Sequence, residues 1–220
     1  MIDGIRIKVC GLTSLVDAEY ADKCGADYLA LNLHPGSPRY VPPAQAEAMV
    51  PRMPDRRKVA VLVEPELDRL RKAFQLGFDA YQIHFRHDLA PAIVEQWSEM
   101  VGAENLWLAP KLPPGIDPDP AHLGLADTVL LDTYRKDAFG GTGAVGDWGK
   151  FRRLEDAHKD LTWILAGGLS PTTIGPALAA SGARFVDVNS GVESAPGVKD
   201  LSKLKAFVVA VHRAVTDQRS

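Results

Sequence analysis

The sequence has few cysteines and nothing that resembles a metal-binding spacing. Only two of its 220 residues are cysteines, Cys10 and Cys24, and so few thiols form neither a disulfide framework nor a metal site. Unpaired thiols are typical of a reducing compartment, so we expect a cytoplasmic protein that binds no metal.

Charge and hydropathy exclude two further classes. The net charge is only -3, and the absence of a run of five like charges argues against binding to nucleic acid or to an anionic membrane. No apolar stretch is long enough to span a bilayer, and residues 1–3 lack the basic start of a signal peptide. If the protein binds an anionic ligand, the positive charge must therefore come from individual Lys or Arg side chains at the binding site.

The chain length is compatible with one α/β barrel or with two small domains. No low-complexity linker divides the sequence. We therefore expect a single domain over residues 1–220.

One local pattern, a helix that ends on glycine shortly before a strand, recurs four times. The glycines are Gly25, Gly77, Gly124 and Gly182, and glycine adopts the left-handed conformation of a helix end without strain. Their spacing of 47 to 58 residues leaves room for two strand–helix units each. Four such double units predict eight strands.

Eight apolar segments match that count. They are residues 5–9, 28–33, 58–63, 80–84, 105–109, 128–131, 162–166 and 185–189. Helical patterns separate them, one of which places Leu67, Leu70 and Phe74 on a single apolar face. Strand–helix alternation predicts a parallel sheet, and eight units predict a closed (β/α)₈ TIM barrel of the α/β class. The alternative is an open doubly wound sheet.

One glycine motif favours that alternative. Residues 141–146 read GTGAVG and match the dinucleotide fingerprint GxGxxG, which requires its glycines to follow a strand directly and to open a helix. Here residues 132–139 intervene. A long loop over the mouth of a barrel explains these glycines better than a dinucleotide site.

Reactive side chains collect at the C-terminal ends of the predicted strands, where the loops of such barrels form the active site. They include Cys10, Arg39, His84 and Asp132. Cys10 and Asp132 are expected on opposite sides of the mouth, so a substrate between them could receive one proton and lose another. Arg39 can hold a carboxylate through two parallel hydrogen bonds. Taken alone, a cysteine such as Cys10 is usually a structural thiol, and Asp132 could be an ordinary cap of the following loop.

The loops after the seventh and eighth predicted strands are rich in glycine. Gly167, Gly168, Ser190 and Gly191 lie where barrels commonly bind phosphate through backbone N–H groups. A phosphate ester is therefore the predicted ligand. Ser170, which precedes a proline, is expected to cap the next helix.

Two charged residues are predicted to face the barrel interior. Lys8 shares strand parity with Cys10, and Asp187 shares it with Asn189. This placement favours a buried structural ion pair over a catalytic role for either residue.

Five collinear segments resemble the phosphoribosylanthranilate isomerase family. They are KVCGLT at 8–13, SPRYV at 37–41, LLDT at 130–133 with GGTG at 140–143, AGGLSP at 166–171, and VNSGVE at 188–193 with PGVKD at 196–200. The resemblance implies a cofactor-free barrel of tryptophan biosynthesis. The implied reaction is an Amadori rearrangement, in which an isomerase converts the aminoaldose N-(5-phosphoribosyl)anthranilate into its aminoketose.

The resemblance also implies roles for individual residues. Asp132 matches the family's general acid, which protonates the ring oxygen, and Cys10 matches the base that removes the proton from C2. Arg39 matches the residue that contacts the anthranilate side, and we expect His84 and Gly141 to bind substrate as well. Gly167, Gly168, Ser190 and Gly191 fall in the family's phosphate-binding loops.

Some positions depart from the family pattern. Residues 30–34 read ALNLH and Phe85 follows His84, where the family usually has Gly and Phe in its second strand and glycine after the histidine. Asn189 replaces a serine. The wall near the anthranilate is therefore expected to be reshaped.

Two alternative functions and the assembly state stay open. A phosphosugar lyase on the same barrel would need a Schiff-base lysine, for which Lys8 and Lys111 are the candidates. A non-catalytic paralogue would bind phosphate without turnover. We expect a monomer or a homodimer.

Overall fold

The structure is a computed structural model that describes residues 1–133 and 147–217. Its barrel strands are β1 (Arg6–Val9), β2 (Tyr28–Asn32), β3 (Arg57–Val63), β4 (Ala80–Arg86), β5 (Leu106–Lys111), β6 (Thr128–Leu131), β7 (Thr162–Leu165) and β8 (Phe185–Val188). The helices are α1 (Leu15–Lys23), α2 (Pro43–Met49), α3 (Leu67–Gln75), α4 (Pro91–Val101), α5 (Pro120–Leu123), α6 (Trp148–Ala157), α7 (Ile174–Ser181) and α8 (Leu201–Asp217).

The eight strands form one closed barrel in sequence order, from β1 to β8. Neighbouring strands are parallel, and β8 pairs with β1 so that Lys8 lies opposite Asp187. The predicted TIM barrel is confirmed and the open sheet is wrong. Each observed strand starts and ends within two residues of its predicted bounds.

The interior of the barrel is apolar at one end and polar at the other. Tyr28, Trp107 and Phe185, near the starts of β2, β5 and β8, pack with ring centroids 4.9 to 5.6 Å apart and close the N-terminal end. Further along the strands, buried Lys8 and Gln82 replace apolar side chains. The charged and polar groups are therefore concentrated towards the end where the βα loops lie.

A short antiparallel hairpin follows the barrel. It consists of β9 (Glu193–Ala195) and β10 (Val198–Lys199), and it is attached to α1 because the Lys199 backbone N–H donates to Asp17 Oδ1 at 3.2 Å. Ser14 caps α1 by accepting a hydrogen bond from the Asp17 N–H at 3.1 Å, the usual role of serine at this position. The hairpin thereby holds Glu193 and Lys199 beside the barrel mouth.

Three local predictions are wrong. Gly25, Gly77 and Gly182 have positive φ, but Gly124 ends the single-turn helix α5 with a φ of -69°. Helix α7 begins at Ile174 with Thr173 at its N-cap, so Ser170 lies in the preceding turn. Phe74 is 46% exposed and does not join the buried face of α3.

No helix among residues 1–133 and 147–217 is long and apolar enough to cross a membrane.

Candidate active site

A cavity of about 390 Å³ opens at the C-terminal end of the barrel, within the usual size range of small-ligand sites. Of the residues predicted for the site, those that line it are Cys10, Arg39, His84, Asp132, Gly167, Gly168 and Ser190. Gly191 does not line it, and Gly141 lies outside the described residues. The strand ends thus bring together side chains up to 180 positions apart in the chain.

Cys10 follows β1 directly and is held by its backbone. Its N–H donates to the Val188 carbonyl at 2.9 Å, and the residue is only 5% exposed. Burial raises the pKa of the Cys10 thiol, whereas the facing charges of Lys8 and Lys199 act to lower it. The thiol therefore lies in a partly compensated environment at the cavity wall.

Asp132 directly follows β6 and is also buried at the cavity. Its Oδ1 accepts a 2.7 Å hydrogen bond from the Thr133 N–H. Burial nevertheless raises the pKa of Asp132 to about 6, and the charge of Asp187 adds to that rise. A carboxyl group with this pKa is partly protonated near neutrality, as a general acid must be.

His84 contributes a neutral ring to the cavity. One ring nitrogen lies 2.8 Å from Gln82 Nε2. Burial, followed by the charges of Lys8 and His34, lowers the pKa of His84 to about 3. The ring can therefore exchange hydrogen bonds with a ligand, but it carries no positive charge near neutral pH.

Arg39 is paired with a protein carboxylate. Its Nε and Nη2 donate to the two oxygens of Glu193 at 2.9 and 2.7 Å, and Lys199 Nζ approaches the same carboxylate at 2.7 Å. Two cations share one anion, so this cluster keeps a net positive charge beside the cavity. Such a cluster can attract an anionic part of a ligand.

The loops after β7 and β8 pack so closely against neighbouring residues that only glycine fits at Gly167 and Gly191. Gly167 has a φ of +87°, and a Cβ there would lie 2.0 Å from Thr133 Oγ1. A Cβ on Gly191 would lie 2.0 Å from the Leu169 carbonyl oxygen. The backbone N–H groups of Gly167 and Gly168 bind no group of the described residues, so they remain available to a phosphate.

Comparison with known proteins points to one family. The family described as N-(5'-phosphoribosyl)anthranilate (PRA) isomerase matches residues 7–210. An N-(5'-phosphoribosyl)anthranilate isomerase of Zymomonas mobilis subsp. mobilis is 35% identical over 211 residues, which cover 94% of this chain and 98% of the relative. The chain belongs to the PRA isomerase family.

Solved structures of PRA isomerases share the fold. The phosphoribosyl anthranilate isomerase of Thermus thermophilus superposes with a TM-score of 0.79 at 29% identity, covering 95% of this chain and 99% of that one. A second PRA isomerase structure, in complex with reduced 1-(o-carboxyphenylamino)-1-deoxyribulose 5-phosphate, gives a TM-score of 0.72 at 26% identity, with 94% and 98% coverage. The family resemblance seen in the sequence motifs is confirmed.

The ion pair predicted between Lys8 and Asp187 in the barrel interior is present. Lys8 Nζ lies 2.9 Å from Asp187 Oδ2, and the Lys8 side chain is fully buried. Burial acts to lower the pKa of Lys8, but Asp187 and Cys10 outweigh it and raise the pKa. A protonated, inaccessible amine is a poor Schiff-base nucleophile, and Lys111 does not line the cavity. Both observations disfavour the lyase alternative.

Sequence reasoning missed the partners of Arg39. Glu193 and Lys199 are buried although they flank a Pro-Gly turn. The sequence feature that could have identified them is the presence of charged residues in an apolar segment after the eighth strand. His34 also lines the cavity without having been assigned a role. In the described part of the chain, no three His, Cys, Asp or Glu residues are arranged to hold a metal ion.

Proposed function

We propose that this chain isomerises N-(5-phosphoribosyl)anthranilate to 1-(o-carboxyphenylamino)-1-deoxyribulose 5-phosphate. The observation that carries the proposal is the presence, in one cavity, of a carboxyl group with a pKa of about 6 and a thiol, which follow two different strands. An aldose-to-ketose rearrangement needs one proton donated and one removed, and it needs no redox partner.

Asp132 is proposed to act first, as the general acid. Its carboxyl proton passes to the furanose ring oxygen while the C1–O bond breaks. The lone pair of the anilino nitrogen forms the C=N bond of an iminium ion. Asp132, now a carboxylate, remains hydrogen-bonded to the Thr133 N–H, which stabilises its charge.

Cys10 is proposed to act second, as the general base. Its thiolate removes the proton from C2, the C–H electrons form the C1=C2 bond, and the iminium nitrogen becomes neutral. The resulting enol tautomerises to the ketone. Substrate and product are isomers, so Cys10 loses its proton and Asp132 regains one before the next turnover.

The two ends of the substrate carry negative charge and are proposed to bind on different walls. Gly167, Gly168 and Ser190 hold the phosphate, with Gly191 supporting that loop. Arg39, within its net positive cluster, faces the anthranilate carboxylate. The neutral His84 ring supplies a hydrogen-bonding contact between these two ends. Gly141 remains a predicted substrate contact.

Paired substitutions test the assignment of acid and base. Cys10→Ser and Asp132→Asn should each lower kcat by about 10² to 10⁴-fold, because a hydroxyl is a poor base and an amide delivers no proton. Both variants should still bind the reduced product analogue, since neither change touches the phosphate loops. A folded Cys10→Ser protein with most of its activity would return Cys10 to a structural role.

Complementation tests the reaction itself. The wild-type chain should restore growth of a tryptophan auxotroph that lacks this isomerase, and Asp132→Asn should not. A wild-type chain that binds the product analogue but neither complements nor turns over substrate would identify a non-catalytic paralogue.

A further inference from the structure

One buried charged pair takes no part in the proposed proton transfers. Lys8 is fully buried, Asp187 is 8% exposed, and their charged atoms lie 2.9 Å apart. Neither Lys8 Nζ nor Asp187 Oδ1 makes a well-aligned hydrogen bond to a described residue. Apolar residues of similar volume often stabilise a core at least as well as a buried ion pair, so stability alone is a weak reason for this one.

The position of the pair is specific. Lys8 and Cys10 point to the same side of β1, because side chains alternate along a strand, and Asp187 faces Lys8 across the β1–β8 pairing. Cys10 and Asp187 line the cavity, whereas Lys8 does not. The Lys8 backbone therefore lies one layer below Cys10 in the barrel, and its ammonium reaches the carboxylate of Asp187, a residue that lines the cavity.

We propose that Lys8 and Asp187 are positioning residues that set the ionisation of the acid–base pair, Lys8 favouring the thiolate of Cys10 and Asp187 opposing it. This inference rests on the proposed roles of Cys10 and Asp132. It assigns to the ion pair a function beyond the structural one expected from its burial.

The charges that face Cys10 come from four parts of the chain. Lys8 lies on its own strand, Asp187 on β8, Lys199 on β10, and Arg39 in the segment after β2. Burial raises the pKa of Cys10, Lys8 lowers it most strongly among the cations, and Asp187 raises it. In a low-dielectric interior such charges act with little screening.

The same pair acts on the acid. Asp187 raises the pKa of Asp132 and Lys8 lowers it, after the larger effect of burial. Lys8 thus lowers the pKa of both Cys10 and Asp132, and Asp187 raises both. Removing either charge should move both ionisations together.

The charge state of Asp187 is the point on which the proposal depends. Burial raises the pKa of Asp187 above its usual value, although Lys8 acts to lower it. We infer an ionised pair, because a neutral Asp187 would leave the Lys8 ammonium as a buried charge without its nearest counterion.

Alkylation by iodoacetamide measures the thiol directly. The rate at each cysteine is followed from about pH 6 to 11 by mass spectrometry, since only the thiolate reacts. Where a midpoint lies above this range, the rate at a fixed pH, which falls about tenfold for each unit of upward shift, reports the change. Cys24 is the internal control: burial raises its pKa and Lys205 opposes that rise, with no contribution from Lys8 or Asp187. The variants are Lys8→Met, Asp187→Asn and the double substitution.

Opposite shifts are expected from the two single variants. Lys8→Met should move the midpoint for Cys10 upward by about one to three pH units, the range for loss of a nearby opposite charge. Asp187→Asn should move it downward, and the double variant should fall between them. Cys24 should not move in any variant. The pH limits of kcat/KM for the isomerase should shift in the same directions.

The outcomes separate this proposal from the proposed function. If Cys10 keeps one midpoint in all folded variants, or if Asp187→Asn leaves it unchanged, the pair is only structural. If Lys8→Met does not fold, the other two variants still test the proposal. Asp187→Asn keeps the Lys8 ammonium and the double variant removes it, and neither leaves an unpaired carboxylate. Midpoints that shift while the kcat/KM limits stay fixed would support the electrostatic effect but remove Cys10 as the base.

Discussion

The Arg39 guanidinium and the Glu193 carboxylate, 154 positions apart in the chain, face each other through two parallel hydrogen bonds of 2.9 and 2.7 Å. The Gly197 N–H and Lys199 Nζ also donate to this carboxylate, at 3.3 and 2.7 Å. Glu193 therefore restricts the guanidinium to one orientation beside the cavity. Gly11 makes room for it, because a Cβ there would lie 2.6 Å from Arg39 Cδ.

Loss of the Arg39 guanidinium should weaken binding of ligands that carry the anthranilate carboxylate. We expect Arg39→Ala to cost about 1.5 to 3 kcal/mol of binding free energy, the range for a hydrogen bond to a charged group. Calorimetric titration with the reduced product analogue measures this loss. The matched ligand is the same analogue without its carboxylate, whose affinity should change little. An equal loss for both ligands would show that Arg39 contacts another part of the molecule.

A negative charge at the end of β8 should oppose the substrate phosphate. Ser190 lines the cavity beside Gly167 and Gly168, so Ser190→Asp should raise KM by about 10²-fold or more, because like charges in contact cost several kcal/mol. Ser190→Ala is the steric control and should change KM much less. Steady-state kinetics measure both variants. Similar KM values for the two would place the phosphate elsewhere.

Much of the fold follows from local pattern. The strands are apolar runs with clear boundaries, and strand parity alone predicts that Lys8 and Asp187 face inward, as they do. The prediction of a left-handed conformation for Gly124 was wrong, because the four-residue helix α5 ends there without a left-handed residue. A glycine in the sequence does not distinguish these two kinds of helix end.

The site was less accessible to sequence reasoning than the fold. Cys10 and Asp132 were found because each lies at the C-terminal end of a predicted apolar strand. Glu193, the partner of Arg39, was not found, because no sequence periodicity relates it to a residue 154 positions earlier. The pKa of Asp132 likewise depends on burial and on Asp187, which only the closed barrel brings near it.

The pH dependence of kcat/KM should show a plateau. In the proposed mechanism the productive form has Asp132 protonated and Cys10 ionised, and the pKa of Asp132, about 6, lies below that of the thiol. The population of this form rises with pH up to the first pKa, stays constant between the two, and falls above the second. Asp132→Glu should move only the lower limit. A rate that declines steadily above about pH 6 would show that Cys10 ionisation is not required.

The buried carboxyl group of Asp132 should be a source of instability at neutral pH. Folding raises the pKa of Asp132 from 3.8 to about 6, so the folded state favours the neutral carboxyl group. Its stabilising contribution is complete below the unfolded pKa and is lost as the pH rises through about 6.

Asp132→Asn keeps a neutral side chain of the same shape and should therefore gain stability relative to wild type as the pH rises. Between about pH 4 and pH 8 we expect the difference in unfolding free energy between variant and wild type to shift by about 1 to 3 kcal/mol in favour of the variant. Denaturant unfolding at the two pH values measures this shift. Asp160→Asn, at an exposed position, is the control and should show none. If the difference for Asp132→Asn is independent of pH, the carboxyl group ionises alike in the folded and unfolded chain, and its proposed role as a proton donor near neutral pH loses its electrostatic basis.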